Sequence, residues 1–141
     1  SSSVYPNQIY EYERGTTVYT GRPTTPWTGK IALAYPSDYG YAADLNQCKD
    51  KTLYDYFYCT SNNWMKAIMT NNGNNGGWLL TPNSSYLSNV WNVTSGSTVY
   101  HDHGSAYNAY GAVPVLSLSS DLGIESGSGD GSSSKPYKLS A

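Results

Sequence analysis

Charge is scarce in this chain. Asp, Glu, Lys and Arg make up only 13% of its 141 residues, 8 basic against 10 acidic, for a net charge of −2. No basic stripe is present, which argues against nucleic acid as a partner, because neutralising phosphates takes clustered Lys and Arg. Long apolar runs are missing as well. None approaches the roughly 18 residues that span a bilayer, so no direct membrane insertion is expected. The opening "SSSVYPNQIYEY" lacks the basic and apolar regions of a signal peptide, and any export or anchoring segment is expected to lie outside this sequence. There is one Phe, and there are two His and two Cys. Cys48 and Cys59 have no CxxC spacing and no further soft ligands nearby, so a zinc site is not expected. In a Ser/Thr/Tyr-rich, Lys-poor chain the pair reads as a disulfide of an extracytoplasmic protein, the alternative being two buried free thiols.

What the chain does have is 15 Tyr, 4 Trp and 14 Gly among many Ser, Thr and Asn. The aromatic side chains supply apolar area with polar tips, enough for one domain of this length to bury a core. Its first half reads as short strands, "QIYEYE", "TTVYTG" and "KIALAYP", around the breaker-rich "GRPTTPWTG". A short helix is expected near Ala42–Cys48, an irregular cystine loop after it, and a two-turn helix from Trp64 to Met69. In the second half "GWLLTP" is a strand stopped by Pro82. "NVWNVTSGSTVY" alternates around a Ser-Gly turn, a hairpin with Val90, Asn92 and Thr94 on one face and Trp91 and Val93 on the other. "AVPVLSL" is a further strand with Pro114 at an edge or bulge, and Tyr137–Leu139 closes the chain. The fold class is therefore α+β, a single domain over 1–141 with mostly short strands, two short helices and long loops.

The stretch "VYHDHGSAYNAY" holds both histidines. In a strand His101 and His103 would share a face, but two imidazoles make an incomplete metal site and no third ligand is identifiable. No nucleophile elbow accompanies the many serines, so no catalytic residues and no enzyme activity are expected. "TPN" (Thr81–Asn83) and "WNV" (Trp91–Val93) lack the carboxylates that a calcium-dependent sugar site needs. "SGDGSSS" around Asp130 reads as a turn. No metal and no cofactor are expected.

"WTGKIALAYPSDYGYA", the Cys pair, "NNWM", "WLLTP", "VWNV", "YGAVPVLSL" and "GSGDGSSSKPYKL" follow one another in order. In this the chain, roughly from Tyr19 to Leu139, resembles a bacterial (Firmicutes) family of surface and prepilin-type proteins. The resemblance implies a C-type-lectin-like fold of the variant shared with formylglycine-generating enzymes and with the variable proteins of diversity-generating retroelements. Such retroelements randomise template adenines, chiefly in Asn codons, which then cannot become Lys, Glu, Gln, Met or Trp. From Asn83 to Tyr110 those types are absent except for Trp91, whereas they make up 16 of the 113 residues outside, so about four would be expected inside.

The resemblance thus implies an adhesin-like ligand-binding module at the bacterial cell surface, its partner a protein or glycan on another cell, phage or host surface. A fixed glycan-binding lectin and a structural pilus or surface subunit stand as alternatives. Tyr, Ser, Asn and Gly dominate antibody paratopes because Tyr gives rigid amphipathic area and the small residues adapt their hydrogen bonds. The expected contact residues are Asn83, Tyr86, Leu87, Asn89, Asn92, Ser97, Tyr100, His101, Asp102, His103, Tyr107, Asn108 and Tyr110. The expected scaffold is Trp27, Tyr35, Trp64, Trp78, Leu79, Leu80, Trp91, Val93, Val113, Val115 and Leu118.

Overall fold

A Tyr-Pro step opens each of the first two helices. In the computed structural model, which describes residues 3–15, 29–70, 76–83, 88–100, 109–116, 118, 121–130, 132 and 134–140, helix α1 spans Pro6–Arg14 and helix α2 spans Pro36–Tyr41. Proline suits the first helical position because its missing N–H has no intrahelical partner there and its φ is already helical. The residue three positions after each Tyr then satisfies the exposed backbone N–H at the start. Gln8 Oε1 accepts from Tyr5 N at 3.0 Å, and Asp38 Oδ2 accepts from Tyr35 N at 2.8 Å. The strand expected over "QIYEYE" is corrected to α1: Pro6 and Ile9 face inward while Tyr10 and Tyr12 stay exposed.

Between these helices β1 (Ala32–Leu33) is all that forms of the expected "KIALAYP" strand, since Pro36 starts the next helix. Helix α3 (Leu45–Cys48) is capped by Asp44, whose carboxylate accepts from Asn46 N at 3.0 Å. A 3-10 segment, Leu53–Asn62, occupies the expected cystine loop, and helix α4 (Met65–Thr70) closely matches the expected two-turn helix. Cys48 and Cys59 are joined by a disulfide, their Cα atoms 6.0 Å apart, which ties α3 to the 3-10 segment.

The centre of the second half is an antiparallel sheet in the order β2 (Gly76–Pro82), β3 (Val90–Thr94), β4 (Val99–Tyr100). Its β3–β4 turn is the expected Ser-Gly hairpin. Ser97 N donates to Thr94 O at 2.8 Å, Thr94 N donates to Thr98 O at 2.9 Å, and Ser97 takes the left-handed conformation at φ 68°. That is a three-residue hairpin loop, a type I turn followed by a left-handed residue. On the other side of β2, Gly111 bridges Gly77 in parallel and Ala34 O accepts from Leu80 N at 2.8 Å. Strand β5 (Pro114–Val115) pairs with β1, and β6 (Gly123–Ile124) pairs with β7 (Leu139–Ser140), one residue beyond the expected closing strand. The α+β class is thus observed.

The core lies between one face of this sheet and the helices. Leu79, Trp91, Val93 and Val99 meet Met65, Met69, Tyr39, Leu53, Tyr56 and the cystine, with Val113 and Val115 packed at its margin. Tyr39 Oη donates to Ser97 O at 3.3 Å and Tyr56 Oη to Gly40 O at 2.9 Å, so both buried phenols are satisfied. Three expected scaffold residues are corrected. Trp64 is 68% exposed because Met65 and Met69, four apart on α4, take the inward face, while neighbouring Asn63 is buried with its amide on Tyr39 O at 2.8 Å. Leu80 alternates outward from Leu79, and Leu118 is exposed beyond β5. Trp78 and Tyr35 are half-buried, and Trp27 lies outside the described residues.

Candidate ligand-binding surface

Strand direction decides where the Tyr/Ser/Asn-rich segments are attached. Strand β3 begins at Val90, opposite Pro82, and ends at Thr94, opposite Gly76. Strand β4 returns from Val99, opposite Val93, to Tyr100, opposite Asn92. The chain therefore leaves β2 at Asn83 and β4 at Tyr100 toward the same end of the sheet, away from the Ser95–Ser97 turn. Asn83 N donates to Asn89 O at 2.9 Å and closes the first exit. The chain returns from the second at Ala109 and runs alongside β2, where Gly111 N donates to Gly76 O and Trp78 N donates to Gly111 O, both at 2.8 Å.

Of the expected contact residues, Tyr86, Leu87, His101, Asp102, His103, Tyr107 and Asn108 lie outside the described residues. Asn83, Asn89 and Tyr100 are half-buried at the two exits, and Tyr110 is half-buried where the chain rejoins β2 beside Gly76–Trp78. Tyr110 packs edge-on against Trp78 with ring centroids 4.8 Å apart, and Tyr100 lies 5.6 Å from Tyr54. Two expected contacts are corrected. Ser97 is 1% exposed because it forms the turn over Tyr39, and Asn92 is 0% exposed at the centre of the sheet, so neither belongs to the open surface. Among the described residues no three His, Cys, Asp or Glu side chains converge to hold a metal ion. Asp130 lies in a turn: Ser132 N donates to its Oδ1 at 3.0 Å, and the Ser132 hydrogen bonds hold its carboxyl below the usual range.

A second concave region has no counterpart in the sequence reading. Ile31, Leu33, Leu80, Val115 and Leu116 wall a groove of about 740 Å³, which meets a smaller one of about 380 Å³ lined by Tyr41, Trp64 and Met65. Arg14 and Asp38 line both. Arg14 donates to Asp38 Oδ1 at 2.7 Å and to Ser37 Oγ at 2.6 Å, and its guanidinium lies over the rings of Tyr10 and Tyr35 at 5.1 and 4.4 Å. Beside it Glu13 is buried and accepts from Thr81 Oγ1 at 2.8 Å and Ser37 N at 3.3 Å. Burial pushes the Glu13 carboxyl above its usual range; the hydrogen bonds and Arg14, 3.6 Å away, offset only part of that. Burial likewise raises Tyr39, and pushes Tyr56 up to about 12. No local motif signals the groove, because Arg14, Asp38, Trp64 and Leu116 come from four separate parts of the chain.

Comparison with protein families, with curated proteins and with solved structures finds no match. The physical arrangement alone therefore carries the reading. It comprises a sheet fixed by backbone hydrogen bonds and a cystine-braced helical layer, with Asn83 and Tyr100 leaving one end of the sheet and Gly111 rejoining β2 beside Gly76 and Gly77 at the other. No described helix is long and apolar enough to cross a membrane.

Proposed function

We propose that this protein is an extracytoplasmic ligand-binding module of adhesin type, with a C-type-lectin-like scaffold. Segments 84–87 and 101–108, with Asn83, Asn89, Tyr100 and Tyr110 at their roots, form the contact surface. One observation supports the reading: both segments depart from the same end of a hydrogen-bonded sheet, after Pro82 and after Tyr100, and the second rejoins it beside Gly76 and Gly77, so that their residues can change while the sheet does not. A binding surface on such a frame keeps its geometry because few backbone degrees of freedom are lost on contact. Tyr supplies contact area with only two side-chain torsions, and Asn, Ser and His adapt their hydrogen bonds. The disulfide supports an oxidising compartment, in keeping with a place at the bacterial cell surface.

The partner in this reading is a protein or glycan on another cell, phage or host, and the surface is diversified by a retroelement. Sequencing the DNA that flanks the coding region tests this. The expected result is a reverse transcriptase gene and a near-copy of the segment encoding residues 83–110, differing from it at adenines. Flanking DNA with neither would overturn the diversified surface.

A further inference from the structure

Two surfaces outside the candidate contact region present exposed apolar side chains. The first is the ribbon of β6 and β7. Ile124 and Leu139 are directly opposite on the paired strands and so share a face. They are 60% and 51% exposed, and Tyr137, two residues before Leu139, is exposed as well. Pairing continues to Glu125, whose N–H donates to Lys138 O at 3.0 Å, and alternation turns Glu125 and Lys138 to the opposite face. The ribbon is thus amphipathic, yet no residue of either strand belongs to the core. A two-stranded ribbon is marginal by itself in water, and an apolar face on it gains from a cover.

The second is the groove beside β1 and β5. Ile31, Leu33, Leu80, Val115 and Leu116 wall it, and Ile31 and Leu116 are exposed. Its volume of about 740 Å³ suits several side chains and not a whole domain. The charged residues in its described lining are Arg14, Lys30 and Asp38. Arg14 and Asp38 neutralise each other, whereas Lys30 takes part in no ion pair among the described residues, so the groove keeps a positive charge. Sugar hydroxyls would find few partners on aliphatic walls. An apolar strand edged by acid fits. Residues 121–125, "DLGIE", are of that kind: Leu122 and Ile124 stand between Asp121 and Glu125, with no basic residue. Glu125 also takes part in no ion pair among the described residues.

We propose that the β6–β7 ribbon of one copy of this chain docks in the groove of a second copy. Ile124, Leu139 and Tyr137 meet the aliphatic walls, and the acidic β6 edge lies toward Lys30. Within one chain the two surfaces are separate, since the ribbon face is exposed and none of its residues lines the groove. Ribbon and groove are different surfaces, so the contact is heterologous, and copies joined by it close into a ring or continue head to tail. This contact goes beyond the ligand-binding function proposed above and does not depend on it. Where both hold, an assembly presents several contact surfaces at once and binds with avidity.

Sedimentation velocity of the whole chain from about 1 μM to about 1 mM tests this, the range suited to a contact of a few side chains. The parent should associate as its concentration rises. Ile124→Asp blocks the ribbon and Leu116→Asp blocks the groove, and each variant should stay monomeric. Both side chains are exposed, so melting temperatures should stay near the parent's. Should either variant melt lower, Ile124→Ser or Leu116→Ser takes its place. Mixed together, the two monomeric variants should form a one-to-one dimer and nothing larger, because one intact ribbon and one intact groove remain between them. Glu125→Lys should weaken association about fivefold or more. A parent still monomeric at about 1 mM would overturn the proposal. So would association that survives Leu116→Asp, which sets ribbon against ribbon, or that survives Ile124→Asp, which puts the contact elsewhere. A mixture that stays monomeric overturns the ribbon–groove pairing, and unchanged association of Glu125→Lys overturns the charge match.

Discussion

Two adjacent glycines at the start of β2 respond to the same substitution for different reasons, and the contrast is measurable. Gly76 sits at φ 133°, a backbone conformation that residues with a Cβ rarely adopt. A Cβ built there would press into the Val93 carbonyl oxygen and lie 2.8 Å from its carbon and 3.0 Å from Thr94 C, all backbone atoms of the paired strand. Relief requires the β2–β3 ladder itself to move. Gly77 has ordinary φ, and its Cβ would lie 2.8 Å from Met69 Sδ, the flexible end of a side chain, and 3.3 Å from Met69 O. Strain at a glycine-only conformation costs about 1–3 kcal/mol, and the backbone collision adds to it, so Gly76→Ala should cost about 4 kcal/mol or more. Gly77→Ala asks methionine to change rotamer in a packed core, at about 1–2 kcal/mol. Against a total stability of roughly 5–15 kcal/mol, the first substitution removes much of the margin and the second does not. Urea unfolding followed by tryptophan fluorescence reads the difference directly. Equal losses at the two positions would refute the β2–β3 register that underlies the placement of both candidate segments.

Other consequences follow from burial and charge. Replacing both Cys48 and Cys59 by Ala should cost about 3 kcal/mol in the chain-entropy model for an 11-residue separation, and denatured, unreduced parent protein should show no free thiol. Trp91→Ala should cost roughly 3–5 kcal/mol and Trp64→Ala under about 0.5 kcal/mol, since the first ring is buried and the second is 68% exposed; similar melting temperatures for the two variants would reverse that assignment. The raised Glu13 carboxyl favours the protonated form in the folded state. Its contribution to stability is therefore full below the unfolded value near 4.3, and is lost as pH rises through the higher folded value. The melting temperature of the parent minus that of Glu13→Gln should accordingly fall from pH 4 to pH 7, and a rise would contradict the burial of Glu13.

The parts of the fold legible in sequence are those with a local cause. The β3–β4 hairpin was marked by alternation and by Ser95–Gly96, and the two faces expected for Val90–Thr94 match the register that sets Asn92 against Trp78 and Tyr100. The cystine was legible from an isolated Cys pair in a short loop. Helix α1 was not, because Ile9, Tyr10 and Tyr12 imitate strand alternation, whereas the decisive features were Pro6 and the Gln8 side chain at the helix start. Trp64 misled through its size: the inward face of α4 was claimed by Met65 and Met69, and Trp64 falls just before the helix. A polar residue in an alternating strand reads as outward-facing, so nothing local announced that Asn92 is enclosed. The Arg14–Asp38 groove depends on pairings across the whole chain.

The proposed division between an invariant frame and an adaptable surface is open to one direct measurement. A library saturating every position is displayed and sorted for resistance to protease, which reports folding. Positions 84–87 and 101–108, His101, His103 and Tyr107 included, should accept most residue types, while Tyr39, Leu79, Trp91, Val93 and Val99 should accept few. Equal intolerance in the two sets would contradict the account, because residues 101–108 would then be part of what holds the fold together.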